Sequence, residues 1–165
     1  MAGVRTYINS GNVIFEAPQR PEPELAATLE AAIAEEFGFD VPVIVLSAPR
    51  LAAIAAELPE EWVDGAEAKC DAMLLFPAID SPELLGTLTI KDGIDDVRYV
   101  PGALLWRVPR PLVTRSGMMR LVGTETYAAM TVRNCNTLRK LAALVAVGAS
   151  DRPDQEPESA PRSGA

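Results

Sequence analysis

Two short stretches gather the side chains best suited to holding a polar or charged molecule. The first is Asn9, Ser10, Gly11 and Asn12, which brings two amides, a hydroxyl and a glycine backbone into four consecutive positions. Such a turn can cradle a polar ligand through side-chain and N–H donors, and the same residue types are what a tight turn needs for local reasons alone. The second is Thr131, Arg133, Asn134, Asn136 and Thr137, at the start of a strongly periodic segment. The N–H groups and partial positive charge of a helix start suit a phosphate or carboxylate, and Arg133 adds a formal charge and a fork of donors. Asn134 is equally an ordinary N-cap, with Thr137 supporting the first turn. Arg115 and Ser116, followed by Gly117, offer a further donor loop, and Arg139 and Lys140 face away from the Leu138 and Leu141 stripe, where they extend a basic surface.

Most enzyme chemistry is removed by one count: the 165 residues include no histidine. Ser/His/Asp and Cys/His catalysis, histidine acid–base chemistry and histidine-containing metal sites are thereby excluded. Asp92, Asp95 and Asp96 in KDGIDD do not follow the calcium-loop pattern and read as a solvated acidic turn, as do Glu60, Glu61 and Asp64. There is no GxGxxG, GKS/T or GxSxG signature. Neither a catalytic residue, a metal nor a cofactor is expected. The enzyme alternative is an arginine-assisted phosphoryl or acyl transfer, with Ser10 or Tyr7 as the hydroxyl participant. Cys70 and Cys135 stand 65 positions apart, outside any CxxC pair, and read as buried small hydrophobes in a reducing compartment.

The net charge of −8 conceals an asymmetry. Residues 1–100 carry 6 basic and 18 acidic side chains, whereas residues 101–165 carry 9 basic and 5 acidic ones. Between Arg107 and Lys140 seven basic groups face Glu125 alone, so an acidic chain can own a positive face; a solvated scatter of arginines, or an internal match to the acidic half, accounts for the same pattern. The strand aromatics Tyr7, Phe15, Tyr99 and Trp106 offer stacking surfaces for RNA, although core burial explains most of them. No stretch reaches the length of a membrane-spanning helix and no secretory leader is recognisable, so a cytoplasmic protein without a membrane partner is expected.

The elements that must position these residues follow from periodicity. VRTYI and NVIFE flank Ser10 and Gly11 as a hairpin. In PEPELAATLEAAIAEEFGF, Leu25, Leu29, Ile33 and Phe37 recur at intervals of four, giving a helix that Gly38 ends. DVPVIVLS is a strand, and Ser47 caps a second helix through Leu51, Ile54, Ala55 and Leu58. PEEWVDGAEAKC lacks periodicity, with Trp62 and Val63 closing the side of a core. DAMLLFP is a strand, SPELLGTL a short helix, and DVRYV and ALLWRV a second hairpin around Pro101 and Gly102. A helix of uncertain start lies in Arg115 to Met130, MTVR is a short strand, and NCNTLRKLAALVAV is the clearest helix.

This order predicts an α+β protein of two ferredoxin-like α/β sandwich units, the first incomplete at its N-terminus. The expected boundaries are 1–58 for the incomplete unit, 59–70 for a connector, 71–147 for the second unit with its C-terminal helix, and 148–165 for a disordered tail without large apolar residues. The front of the first unit is short by a strand and a helix. A start placed too late in the gene, replacement of the strand through oligomerisation at the exposed edge, or a mistaken analogy between the units each account for that.

VRTYINSGNVIFE, together with MTVRNCNTLRKLAAL, resembles the bacterial family called domain of unknown function 1697, in which TYINSGNV and TxRNxNTxxKL are the most recognisable stretches. The resemblance runs from about Val4 to about Val147 and implies paired ferredoxin-like α+β units. Members of that family normally begin with a strand ending in an Arg, Gly, Ile, Asn, Val, Gly, Gly stretch and a following helix, which this chain does not show; it also has Cys135 where the family commonly has Trp. The resemblance brings no settled activity and no catalytic assignment. The function expected from the residues is non-catalytic binding of an anionic ligand, a phosphorylated metabolite or nucleic acid such as RNA, at the polar turn and helix start. The alternatives are a histidine-independent enzyme acting on a phosphorylated or carboxylated small molecule, and a structural or protein-interaction module.

Overall fold

The computed structural model describes residues 2–7, 11–17 and 20–150. Asn9 and Ser10 of the polar turn, and residues 151–165 of the expected tail, lie outside them.

A hairpin opens the chain. β1 (Ala2–Tyr7) and β2 (Asn12–Glu16) pair antiparallel, with Tyr7 opposite Asn12 and Arg5 opposite Ile14. Strand alternation therefore puts Tyr7, Asn12 and Ile14 on one face, and Tyr7 and Ile14 pack against the main core. α1 (Glu22–Phe37) follows as predicted and ends at Gly38 in the left-handed region, whose N–H returns to the Ala34 carbonyl. Of the predicted stripe only Leu25 is buried; Phe37 is 64% exposed.

The expected strand 40–47 is a correction. Among the described residues it joins no ladder, because β-propensity describes a fit to a pleated surface and does not supply the partner strand. Side chains of α1 take two of its donors: Val43 N–H gives to Glu30 Oε1 (2.8 Å) and Ser47 N–H to Glu22 Oε1 (2.7 Å). Ser47 does stand before α2 (Ala48–Ala56), yet its hydroxyl makes no cap bond. Leu51, Ile54 and Leu58 are buried as the stripe requires.

A four-stranded antiparallel sheet carries the rest of the chain, in the spatial order β4–β5–β3–β6. Its strands are β3 (Ala68–Leu75), β4 (Asp96–Val100), β5 (Ala103–Pro109) and β6 (Met130–Asn134). β3 begins three residues before the predicted strand. It is central and covered on both faces, which explains its nearly continuous apolar run. Cys70, Ala72 and Leu74 face one core with α2 and α4 (Cys135–Ser150); Met73 and Leu75 face a second core. Trp62 closes the first core as expected, whereas Val63 is 53% exposed.

Covering the second core are a short helix, as expected for SPELLGTL, and short turns where one helix was expected within Arg115–Met130. Ser81 caps a 3₁₀ helix at Pro82–Thr87, and the helix predicted within Arg115–Met130 is replaced by 3₁₀ helices at Arg110–Arg115 and Met118–Leu121 and by the single turn α3 (Glu125–Ala128). Gly117 and Gly123 interrupt the segment, and Thr124 restarts it as the cap of α3 by accepting from Tyr127 N–H. α4 is the predicted helix, and it runs three residues into the segment read as tail.

Candidate functional site

β6 is an edge strand, and its alternation sorts the second polar stretch. Met130 and Val132 turn toward the second core, while Thr131 and Arg133, opposite Leu74 and Ala72, turn toward the α2 and α4 side. That is the side on which the hairpin packs. Arg133 accordingly meets Asn12: its Nε donates to Asn12 Oδ1 at 2.6 Å, and its Nη1 donates to Thr131 Oγ1 and the Val132 carbonyl, each at 2.8 Å. Asn12 uses its amide nitrogen to hold the Tyr7 carbonyl at 3.1 Å, closing the turn from the other side. Gly11 completes that turn at φ +74°, a conformation that other side chains rarely adopt. Burial lowers the pKa of Arg133 from its ordinary value, and a guanidinium nevertheless stays cationic throughout the physiological range.

The two predicted stretches, 121 residues apart, thus converge on one half-buried cation. The start of α4 adjoins it. Asn134 Oδ1 accepts from Thr137 N–H at 2.8 Å, so Asn134 is the N-cap and Thr137, nearly buried, carries the capped amide.

Other candidates are occupied elsewhere. Asn136 grips the connector, donating to the Asp64 carbonyl at 2.8 Å and accepting from Asp64 N–H. Arg139 does not extend a free basic surface; it donates to the carbonyls of Trp62 and Pro59 and so fastens the same connector to α4. Arg115 is exposed and lends its carbonyl to Lys91 Nζ. Ser116 is buried beside the second core, where its hydroxyl donates to Asp95 Oδ1 and accepts from Met118 N–H. Arg115 and Ser116 form no part of the Arg133 cluster in their hydrogen bonding.

Asp95 corrects the solvated acidic turn expected for KDGIDD. It accepts from Lys91 N–H, Gly117 N–H, Trp106 Nε1 and the Ser116 hydroxyl. Burial alone pushes its pKa up, but these bonds outweigh it and hold the carboxyl below its ordinary value. Asp64 is likewise engaged, pairing with Arg110 at 2.8 Å and accepting from Cys70 N–H. Among the described residues no His, Cys, Asp and Glu group could hold a metal ion. A cleft of about 140 Å³ lies between Thr87, Thr89, Gly117, Arg120 and Thr124, away from the residues bonded to Arg133. Of the strand aromatics, Trp106 is 3% exposed, Tyr7 and Tyr99 pack against the two cores, Tyr99 donates its hydroxyl to Asp80 at 3.0 Å, and Phe15 is half-buried. No helix among the described residues is long and apolar enough to cross a membrane.

Comparison with known proteins adds a family and a fold. The family described as "Protein of unknown function (DUF1697)" matches residues 1–106, which takes in the hairpin motif and stops short of the Arg133 motif. The solved structure of the conserved bacterial protein SP0830 from Streptococcus pneumoniae resembles this one with a TM-score of 0.72, at 23% identity over 87% of this chain and 81% of that chain. No curated protein matches.

Proposed function

From a chain that belongs to the DUF1697 family of bacterial proteins, we propose a non-catalytic binding protein whose ligand is anionic, a phosphorylated metabolite or nucleic acid, held where the hairpin turn meets β6 and the start of α4. The observation that supports this is the meeting of Arg133 with Asn12 and Thr131, a cation with oriented polar groups on both sides, next to the capped positive end of α4. Binding needs a cation held by oriented polar groups, which Arg133 with Asn12 and Thr131 supplies; Asn12 and Thr131 are not general bases, and the sequence has no histidine to act as one. Titration with inorganic pyrophosphate, ATP and single-stranded RNA at low and high salt tests the reading. Binding that weakens with salt and falls about tenfold or more in Arg133→Gln, with the circular dichroism unchanged, is expected. Absence of binding to all three overturns it, and turnover of a bound phosphate ester would favour the enzyme alternative.

The finer architecture belongs to the same proposal. We infer that residues 71–147 form a ferredoxin-like unit, supported by the antiparallel order β4–β5–β3–β6, and that residues 1–58 form a second such unit with one strand unfilled. β2 and segment 40–47 correspond to the two neighbours of β3, and neither has the intervening strand among the described residues. A strand from another copy would pair with both, which a concentration-dependent dimer in light scattering would support and a monomer at all concentrations would exclude. Two buried free cysteines fit a cytoplasmic setting.

A further inference from the structure

Cys70 and Cys135 are both free and fully buried, and both belong to the core beneath α2 and α4. Their relation is fixed by register. β3 and β6 run antiparallel and their last facing pair is Asp71 with Asn134; Cys70 and Cys135 are the next residue along each chain, Cys135 as the first residue of α4. Facing residues of an antiparallel pair have Cα atoms about 4.5 to 5.5 Å apart, so the two cysteines leave the Asp71 and Asn134 pair from a separation that a disulfide can bridge. Both side chains turn to the same core, which satisfies the second geometric requirement.

We propose that Cys70 and Cys135 form a reversible disulfide, a redox-sensitive staple between the central strand and the first turn of α4. Its oxidant is hydrogen peroxide, small enough to enter when the start of α4 opens. The Cys70 sulfur attacks one peroxide oxygen, breaking the O–O bond to give a sulfenic acid and one water. Cys135 then attacks the Cys70 sulfur, forming the S–S bond and releasing the second water. Two thiols thereby lose two electrons and two protons to the peroxide. Burial raises both thiols above the ordinary value, Cys135 to about 12, with Arg107 and Arg139 opposing the rise at Cys70 and Arg139 at Cys135; the reaction therefore follows opening. Closing the staple gives up the contact of Cys70 Sγ with the Val63 carbonyl (3.4 Å) and fixes the chain two residues from Arg133. The inference stands on register and burial and does not rest on the ligand reading.

Folded protein treated with hydrogen peroxide, alkylated after unfolding and digested, is expected to yield peptides joined through Cys70 and Cys135. Oxidation should raise Tm by about 10 °C, because it closes a long loop, and a dithiol reductant should reverse the shift. Cys135→Ser and Cys70→Ala should each abolish both the link and the shift. Full alkylation of both thiols after treatment of the folded wild type, or a link that forms only when peroxide is added in denaturant, overturns the proposal without reference to either variant.

Discussion

At the scale of single residues, the carboxylates separate by what surrounds them. Asp95 joins the Lys91 turn, the Trp106 indole and the Ser116 loop, so Asp95→Ala leaves several buried donors unpaired. A loss of about 3 kcal/mol is expected in urea unfolding. Its folded-state pKa is depressed, so the stability it adds is fully present above its unfolded pKa and is lost as pH falls through the folded value. Acid titration of stability should therefore be shallower in Asp95→Ala than in the wild type. Asp71 works in the opposite direction. It is 4% exposed, and burial raises its pKa although Lys69 stands at 2.6 Å. The folded state holds that proton more tightly than the unfolded one, so stability falls as pH rises from the unfolded value through the folded one. Asp71→Asn should remove this opposing slope, which the same titration reads.

Elements are held by a few positions whose role depends on neighbours in space. Asn134 caps α4, and Asn134→Ala should cost about 1 kcal/mol by thermal or chemical unfolding, with α4 fraying first in hydrogen exchange. Gly117 is a different case. A Cβ there would clash with the Thr89 carbonyl oxygen, a backbone atom that cannot swing away, so Gly117→Ala should cost about 3 kcal/mol or prevent folding. An unfolding midpoint equal to that of the wild type would contradict this close approach. The glycine announces itself in sequence only as a helix breaker; the contact arises because the chain at Gly117 lies against Thr89, two residues past the 3₁₀ helix that ends at Thr87. Segment 40–47 teaches the converse. Its residues want a sheet, but a strand is a property of two paired segments and its ladder is not met among the described residues.

Across the whole molecule, Arg50 ties the front of the chain to the four-stranded sheet. Its guanidinium bonds Glu22 of α1 at 2.8 Å and Asp80 at 3.1 Å, and Asp80 also accepts from Tyr99 and the Gly102 N–H. Because these groups are partly exposed, Arg50→Met should cost only about 1.5 kcal/mol, yet it should speed hydrogen exchange throughout α1. Unchanged exchange there would show that Leu25 and its neighbours hold the helix unaided. None of this linkage was legible in sequence, where Glu22, Arg50 and Asp80 are ordinary charged residues of separate segments. What the amino-acid sequence determined by itself was local: the hairpin around Gly11, the periodic helices α1, α2 and α4, the second hairpin, the Asn134 cap and the exclusion of histidine chemistry. Those depend on spacing, capping and turn conformation, which neighbouring residues settle among themselves. Only the tertiary structure decided that Arg133 meets Asn12, that Ser116 and Asp95 belong to the opposite core, and that Arg139 is spent on the connector. Those depend on which strand faces are turned toward each other, and that follows from burying both faces of β3 at once.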